Sequence, residues 1–141
     1  MTTFKTSRNL LAKIEQVFAA FQPERLVRWW GPAGFTNTST LCEFKNGGRW
    51  SFTMHGPDGK HYPNENLFSE IVAPTKVVIQ HVSEPKFRLT ISLEPLAEGT
   101  RVFWVQEFES AEVARQIEHI CVPANEQNLD RLAAEVLRPI D

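Results

Sequence analysis

Cysteine is scarce in this chain. Its 141 residues hold two, Cys42 and Cys121, far apart in sequence. That excludes a disulfide framework and a cysteine-rich zinc site. The pair leaves room for one disulfide, but in a cytoplasmic protein it reads as two reduced, buried thiols. Long apolar runs are missing too: none approaches the ~20 residues that span a bilayer. The start, Met1-Thr2-Thr3-Phe4-Lys5, lacks the apolar core of a signal peptide. Charge of one sign is also lacking. The net charge is -2 and both signs are mixed along the chain, so no basic run marks a nucleic-acid footprint. Nor is there a nucleophile elbow, or a glycine-rich turn leading into a helix that would cradle phosphate. The histidines, His55, His61, His81 and His119, have no close helical ligand spacing, so neither a metal nor a cofactor is expected.

What is present is an ordinary soluble composition, 42% hydrophobic and 23% charged, long enough for one domain over residues 1–141. It also holds ten Phe and four Trp, which either fill a core or wall a pocket. No repeat, low-complexity tract or linker interrupts it. Residues 2–8 suit a short strand. Leu11, Ile14, Val17, Phe18 and Phe21 recur at helical spacing, which predicts a helix over 11–21 capped by Asn9. Pro23 opens a second short helix through Trp29 or Trp30, and Gly31-Pro32 stops it.

From Phe35 the helical period vanishes. Six extended segments follow: 35–45, the alternating stretch containing Trp50, Phe52 and Met54, 61–72 with a bend or bulge near Pro63, 76–82, the stretch from Phe87 to Leu93, and 101–109. The turns Asn46-Gly47-Gly48, Gly56-Pro57-Asp58-Gly59, Ala73-Pro74-Thr75 and Glu98-Gly99-Thr100 separate them. A helical stretch over 110–120 comes next. Pro123 is expected to break it and to start a final helix over 123–138, about 24 Å long, with Leu129, Leu132, Ala133, Val136 and Leu137 on its apolar face. A meander of this kind needs one face covered, and the terminal helix is the largest cover available.

Several motifs in this order carry a resemblance. They are Pro23-Glu24-Arg25-Leu26 with Trp29-Trp30-Gly31-Pro32, Gly47-Gly48-Arg49-Trp50, Met54-His55-Gly56-Pro57-Asp58-Gly59 with Tyr62-Pro63-Asn64, Glu70-Ile71-Val72-Ala73-Pro74, and Gly99-Thr100-Arg101-Val102. Together they resemble the START-like (SRPBCC, Bet v 1-like) superfamily, in the branch of homologues of the activator of heat shock protein 90 ATPase. The resemblance covers nearly the whole chain. It implies an α+β helix-grip fold: a seven-stranded curved antiparallel sheet, two short helices and a long C-terminal helix, with a cavity between sheet and helix. Such families hold lipid and polyketide binders, cyclases and resistance proteins, so the fold is better specified than the activity. Relatives usually carry Gly-Trp at the start of the final helix, where this chain has Ala124-Asn125.

The expected role is binding of a small hydrophobic molecule, a lipid, polyketide or aromatic, in that cavity. Trp30, Trp50, Phe52, Met54, Phe68, Phe87 and Leu89 are its candidate walls, each equally readable as core. His81, Glu107 and Asn128 are the candidate polar groups. His81 follows Val77 and Ile79 on one strand face and is either a satisfied core histidine or a polar tether. Glu107 is a buried carboxylate if its strand turns Phe103 and Val105 inward. In the other register Gln106 faces in, and the pattern does not choose between the two. Arg25, Arg28 and Arg49 read as solvated or paired. Two alternatives stand beside binding: a cyclase or hydrolase using His81 and Glu107, and an interaction protein contacting a chaperone or a second copy. Neither nucleic-acid binding nor membrane insertion is expected.

Overall fold

The computed structural model describes residues 2–138; both ends of the 1–141 domain expected from the sequence lie outside that range. The elements are β1 (Thr3–Leu10), α1 (Ile14–Ala19), α2 (Pro23–Trp29), β2 (Thr36–Cys42), β3 (Gly48–His55), β4 (His61–Val72), β5 (Lys76–His81), β6 (Phe87–Leu96), β7 (Gly99–Phe108) and α3 (Ala111–Val136). The seven strands form one antiparallel sheet in the order β1-β7-β6-β5-β4-β3-β2. Six consecutive strands therefore pair with their sequence neighbours, and β1 closes the far side against β7. This is the curved seven-stranded helix-grip arrangement, with α3 as the long C-terminal helix.

Period-two patterning builds the covered face. Leu89, Ile91 and Leu93 of β6 and Val102 and Trp104 of β7 point inward, buried, while Arg88, Thr90, Ser92 and Glu94 point outward. Leu129, Leu132 and Val136 of α3 close over them. The register of β6 on β7 decides the open question of the last strand. Leu89 pairs with Gln106 and Arg88 with Glu107, so Gln106 lies on the buried face and Glu107 outside.

Four local expectations are corrected. The first helix is only Ile14–Ala19: Leu10 and Asn9 continue β1, and Leu11 is 79% exposed rather than part of the stripe. Asn9 caps nothing; its Oδ1 accepts from Arg101 Nε at 3.1 Å, and Lys13 takes the cap position. The irregularity in β4 falls at Ser69, between Phe68 and Glu70, not at Pro63. Pro63 pairs with Thr53 of β3, and β5 reaches only as far as Asn66, so the missing N–H has no ladder partner to lose.

The fourth correction is the largest. The two expected C-terminal helices are one 26-residue helix that runs through Pro123. Ser110 starts it by accepting from the Val113 amide at 3.2 Å. Pro123 and His119 are both exposed, so the backbone bond that proline removes is lost on the side where water takes the freed carbonyl. Ile120, which helical spacing groups with Val113 and Ile117, is 59% exposed.

Ion pairs join α3 to the rest. Glu135, 7% exposed, accepts from Arg25 Nε at 2.9 Å and from Arg28 Nη2 at 2.8 Å. These hydrogen bonds hold its carboxyl below the usual carboxylate range. Arg131 donates to the carbonyls of Arg28, Trp30, Gly31 and Pro32, capping the C-terminal end of α2. Arg8 reaches from β1 to Asp130 at 2.7 Å and Glu126 at 3.1 Å.

Candidate functional site

A pocket of about 220 Å³ lies between α3 and the sheet. Phe52, Ile79, Leu89 and Trp104 supply its sheet side, and Cys121, Ala124, Asn125 and Asn128 its helix side. Trp30, Gly31 and Pro32 border it at the end of α2, and Pro85 and Phe87 at the β5–β6 connection. Gly31 is required there. Its φ of 102° lies in the left-handed region, and an added Cβ would sit 3.3 Å from Met54 Sδ. Trp30 is fixed by contacts at 5.0 Å to the Trp50 ring and 5.7 Å to that of Trp104.

Of the residues singled out from the sequence, Trp30, Phe52, Met54, His81, Phe87, Leu89 and Asn128 line this pocket. Trp50 and Phe68 do not. They stack on each other at 5.4 Å in the core behind it. Glu107 is exposed on the outer face, because its strand position has the opposite parity to Trp104 and Gln106. The pairing of His81 with Glu107 needed for acid–base chemistry is therefore not formed.

Sequence reasoning left Gln106 as one of two open registers and did not single out Asn64, Asn66, Trp104 or Asn125; all five line the pocket. A signal for two of them existed: Trp104 and Gln106 share parity with Val102, which the register makes inward. Asn64 and Asn66 share parity with Phe68 in β4, a signal outweighed by their polarity, and Asn125 lies on α3, where strand parity says nothing.

The polar groups are mostly spent on the protein itself. Asn128 donates to the Trp29 carbonyl at 3.1 Å and accepts from the Gly31 amide at 3.3 Å. Asn125 donates to Gln106 Oε1 at 3.0 Å, and Asn66 to the Trp50 carbonyl at 3.3 Å. His81 Nδ1 lies 2.8 Å from the Pro85 carbonyl and Nε2 lies 2.7 Å from Asn64 Oδ1, with the ring stacked on Phe87 at 4.5 Å. Trp104 Nε1 differs: it is buried without a hydrogen-bond partner among the described residues.

Among the described residues no Asp, Glu, Lys or Arg lines the pocket. Burial pushes the His81 imidazole below its ordinary range, against the Pro85 and Ser83 contacts and Glu84 that favour its cation. Burial also raises the Cys121 thiol, which stays protonated and weakly nucleophilic. Both cysteines are unpaired. Among the described residues no three His, Cys, Asp or Glu converge on a metal position, and no helix is long and apolar enough to cross a membrane.

The His81 shift has a measurable consequence. Its folded pKa lies below the unfolded value of about 6.5. Folding therefore excludes a proton: stability is full above pH ~6.5 and falls as pH drops from there towards the folded pKa. Urea unfolding between pH 5 and 7.5 should show stability falling as pH drops, with the one-proton limit of about 1.4 kcal/mol per pH unit as the ceiling of the slope. His81→Asn should flatten that slope. A slope unchanged in the variant would assign it to other groups.

Residues 11–136 match the family described as Activator of Hsp90 ATPase homolog 1-like protein. No curated protein sequence shows significant similarity to the chain. Solved structures do. A protein of Arthrobacter aurescens is 26% identical, with a TM-score of 0.88, covering 99% of this chain and 88% of its own. One from Chromobacterium violaceum is 25% identical, with a TM-score of 0.86, covering 99% and 100%. The AHSA1 protein of Silicibacter pomeroyi, at 20% identity and a TM-score of 0.76 over 95% and 96%, shares the fold. A family match across most of the chain, on a helix-grip fold these structures share, means that the chain belongs to the Activator of Hsp90 ATPase homolog 1-like family of the START-like superfamily.

Proposed function

We propose that this chain, acting as a single domain in the cytoplasm, binds a small, uncharged, largely apolar molecule of one or two rings in the pocket between α3 and the sheet. The observation that carries this reading is the lining: aromatic and aliphatic walls, polar groups mostly paired, and no charged side chain. A carboxylate or ammonium entering it would lose its hydration without an ion pair, at a cost of several kcal/mol. Size points the same way. Cavities of about 150 Å³ take benzene, and drug-sized ligands need roughly 300–1,000 Å³. The volume here, about 220 Å³, lies between them.

One ring buries roughly 150–250 Å². At about 25 cal/mol per Å² that supplies about 5 kcal/mol, a Kd near 0.2 mM. Toluene should therefore bind with a Kd below about 1 mM and shift backbone amides of β5, β6, β7 and the middle of α3 in 1H–15N NMR spectra. Benzoate, the same size but charged, should leave them unmoved. Toluene shifts confined to the outer sheet face, or benzoate binding as tightly as toluene, would remove the proposal.

A further inference from the structure

Gln106 of β7 and Asn125 of α3 both line the pocket, and they meet across it: Asn125 Nδ2 donates to Gln106 Oε1 at 3.0 Å. Each amide thereby uses one of its two ends. Gln106 Nε2, a donor, and Asn125 Oδ1, an acceptor, have no hydrogen-bond partner among the described residues. Neither atom is sealed off. Among the described residues the fully enclosed unpaired side-chain atoms are Asn37 Oδ1 and Trp104 Nε1, so these two keep surface that a small molecule can touch. For Gln106 that surface opens on the pocket. The residue is 6% exposed, and its neighbours on the inner sheet face, Trp104, Phe108 and Leu89, are buried around it. The other amides of the lining are less available. Asn128 and Asn64 use both ends, and Asn66 gives its Nδ2 to the Trp50 carbonyl and leaves only its oxygen.

We infer that the Gln106–Asn125 pair is the polar end of the pocket and selects a ligand whose ring bears a hydroxyl, which accepts from Gln106 Nε2 and donates to Asn125 Oδ1. This rests on the pocket being a ligand site. A hydroxyl is the smallest uncharged group that both gives and takes a hydrogen bond. Turning both amides over exchanges the two roles and leaves the same combination, one donor and one acceptor. A wholly apolar guest would strip water from both amide ends and return nothing, and a site with polar groups left unpaired in this way rejects the guest that lacks the matching group. The group is uncharged because nothing in the lining would neutralise a carboxylate or phosphate.

The test uses two probes of one shape, p-cresol and p-xylene, which differ in a hydroxyl against a methyl group. Xylene leaves water more readily, so the ratio of the two affinities is compared between the wild-type chain and the double variant Gln106→Met, Asn125→Leu. Both changes keep side-chain size, and removing both partners together orphans neither. The cresol should gain about tenfold relative to the xylene in the wild type over the variant. Only the cresol should move a side-chain amide proton of Gln106 or Asn125 downfield in 1H–15N spectra of the wild type. An equal ratio in both proteins, with those protons indifferent to the hydroxyl, would overturn the assignment while leaving the pocket a binding site. If neither probe shifts the backbone amides around the pocket, the binding proposal falls and this inference falls with it. Should the double variant not fold, the wild-type side-chain amide shifts decide alone.

Discussion

Trp29→Ala should cost about 4 kcal/mol of folding stability and lower Tm by roughly 12 °C, whereas Leu11→Ala should cost less than about 0.5 kcal/mol. Both residues are large and apolar, and both sit in the N-terminal helical region by sequence. The structure separates them. Trp29 is 1% exposed, meets the Phe21 ring edge-on at 5.2 Å and that of Trp30 at 5.4 Å, and donates to the Ala20 carbonyl. Its truncation opens a cavity and leaves a buried carbonyl unpaired, two costs that add. Leu11, 79% exposed, has little to lose. Thermal and urea unfolding of both variants would check this. Comparable losses at the two positions would mean that α1 begins earlier and packs a longer stripe against the sheet.

Ala124→Phe should abolish binding of a one-ring probe, weakening it at least ~50-fold, about 2.3 kcal/mol, while changing stability by less than about 1.5 kcal/mol. Ala124 lines the pocket from α3, so a phenyl ring grown from its Cβ fills the space a guest would use. No polar contact is lost, because the amides that follow it on α3, Asn125 to Gln106 and Asn128 to Trp29, stay in place. A probe that still bound Ala124→Phe with wild-type affinity would place the binding site elsewhere.

Glu135 and His81 give stability two separate pH windows. The pairs with Arg25 and Arg28 stabilise above the unfolded carboxylate value of about 4.3 and are lost as pH falls through the lower folded value. The His81 contribution fades earlier, from about pH 6.5 downward. Removing α3's grip on α2 and removing the polar side of the pocket are thus distinguishable by pH alone.

The sequence by itself determined the order of the strands, and its resemblance to the START-like superfamily implied the helix-grip class. Strand alternation in the stretch from Phe87 to Leu93, turn glycines and the Leu129–Leu132–Val136 stripe are local signals, set by periods of two and 3.6 that each segment carries alone. It also placed Phe52, Leu89 and His81 on the face that lines the pocket. Three things waited for the tertiary structure. With apolar residues at both parities of β7, only its register against β6 sends Gln106 inward and Glu107 out. Only the exposure of Pro123 lets one helix run through it. And only packing on all sides leaves the Trp104 N–H without a partner, because whether a donor is satisfied depends on neighbours brought together from distant parts of the chain.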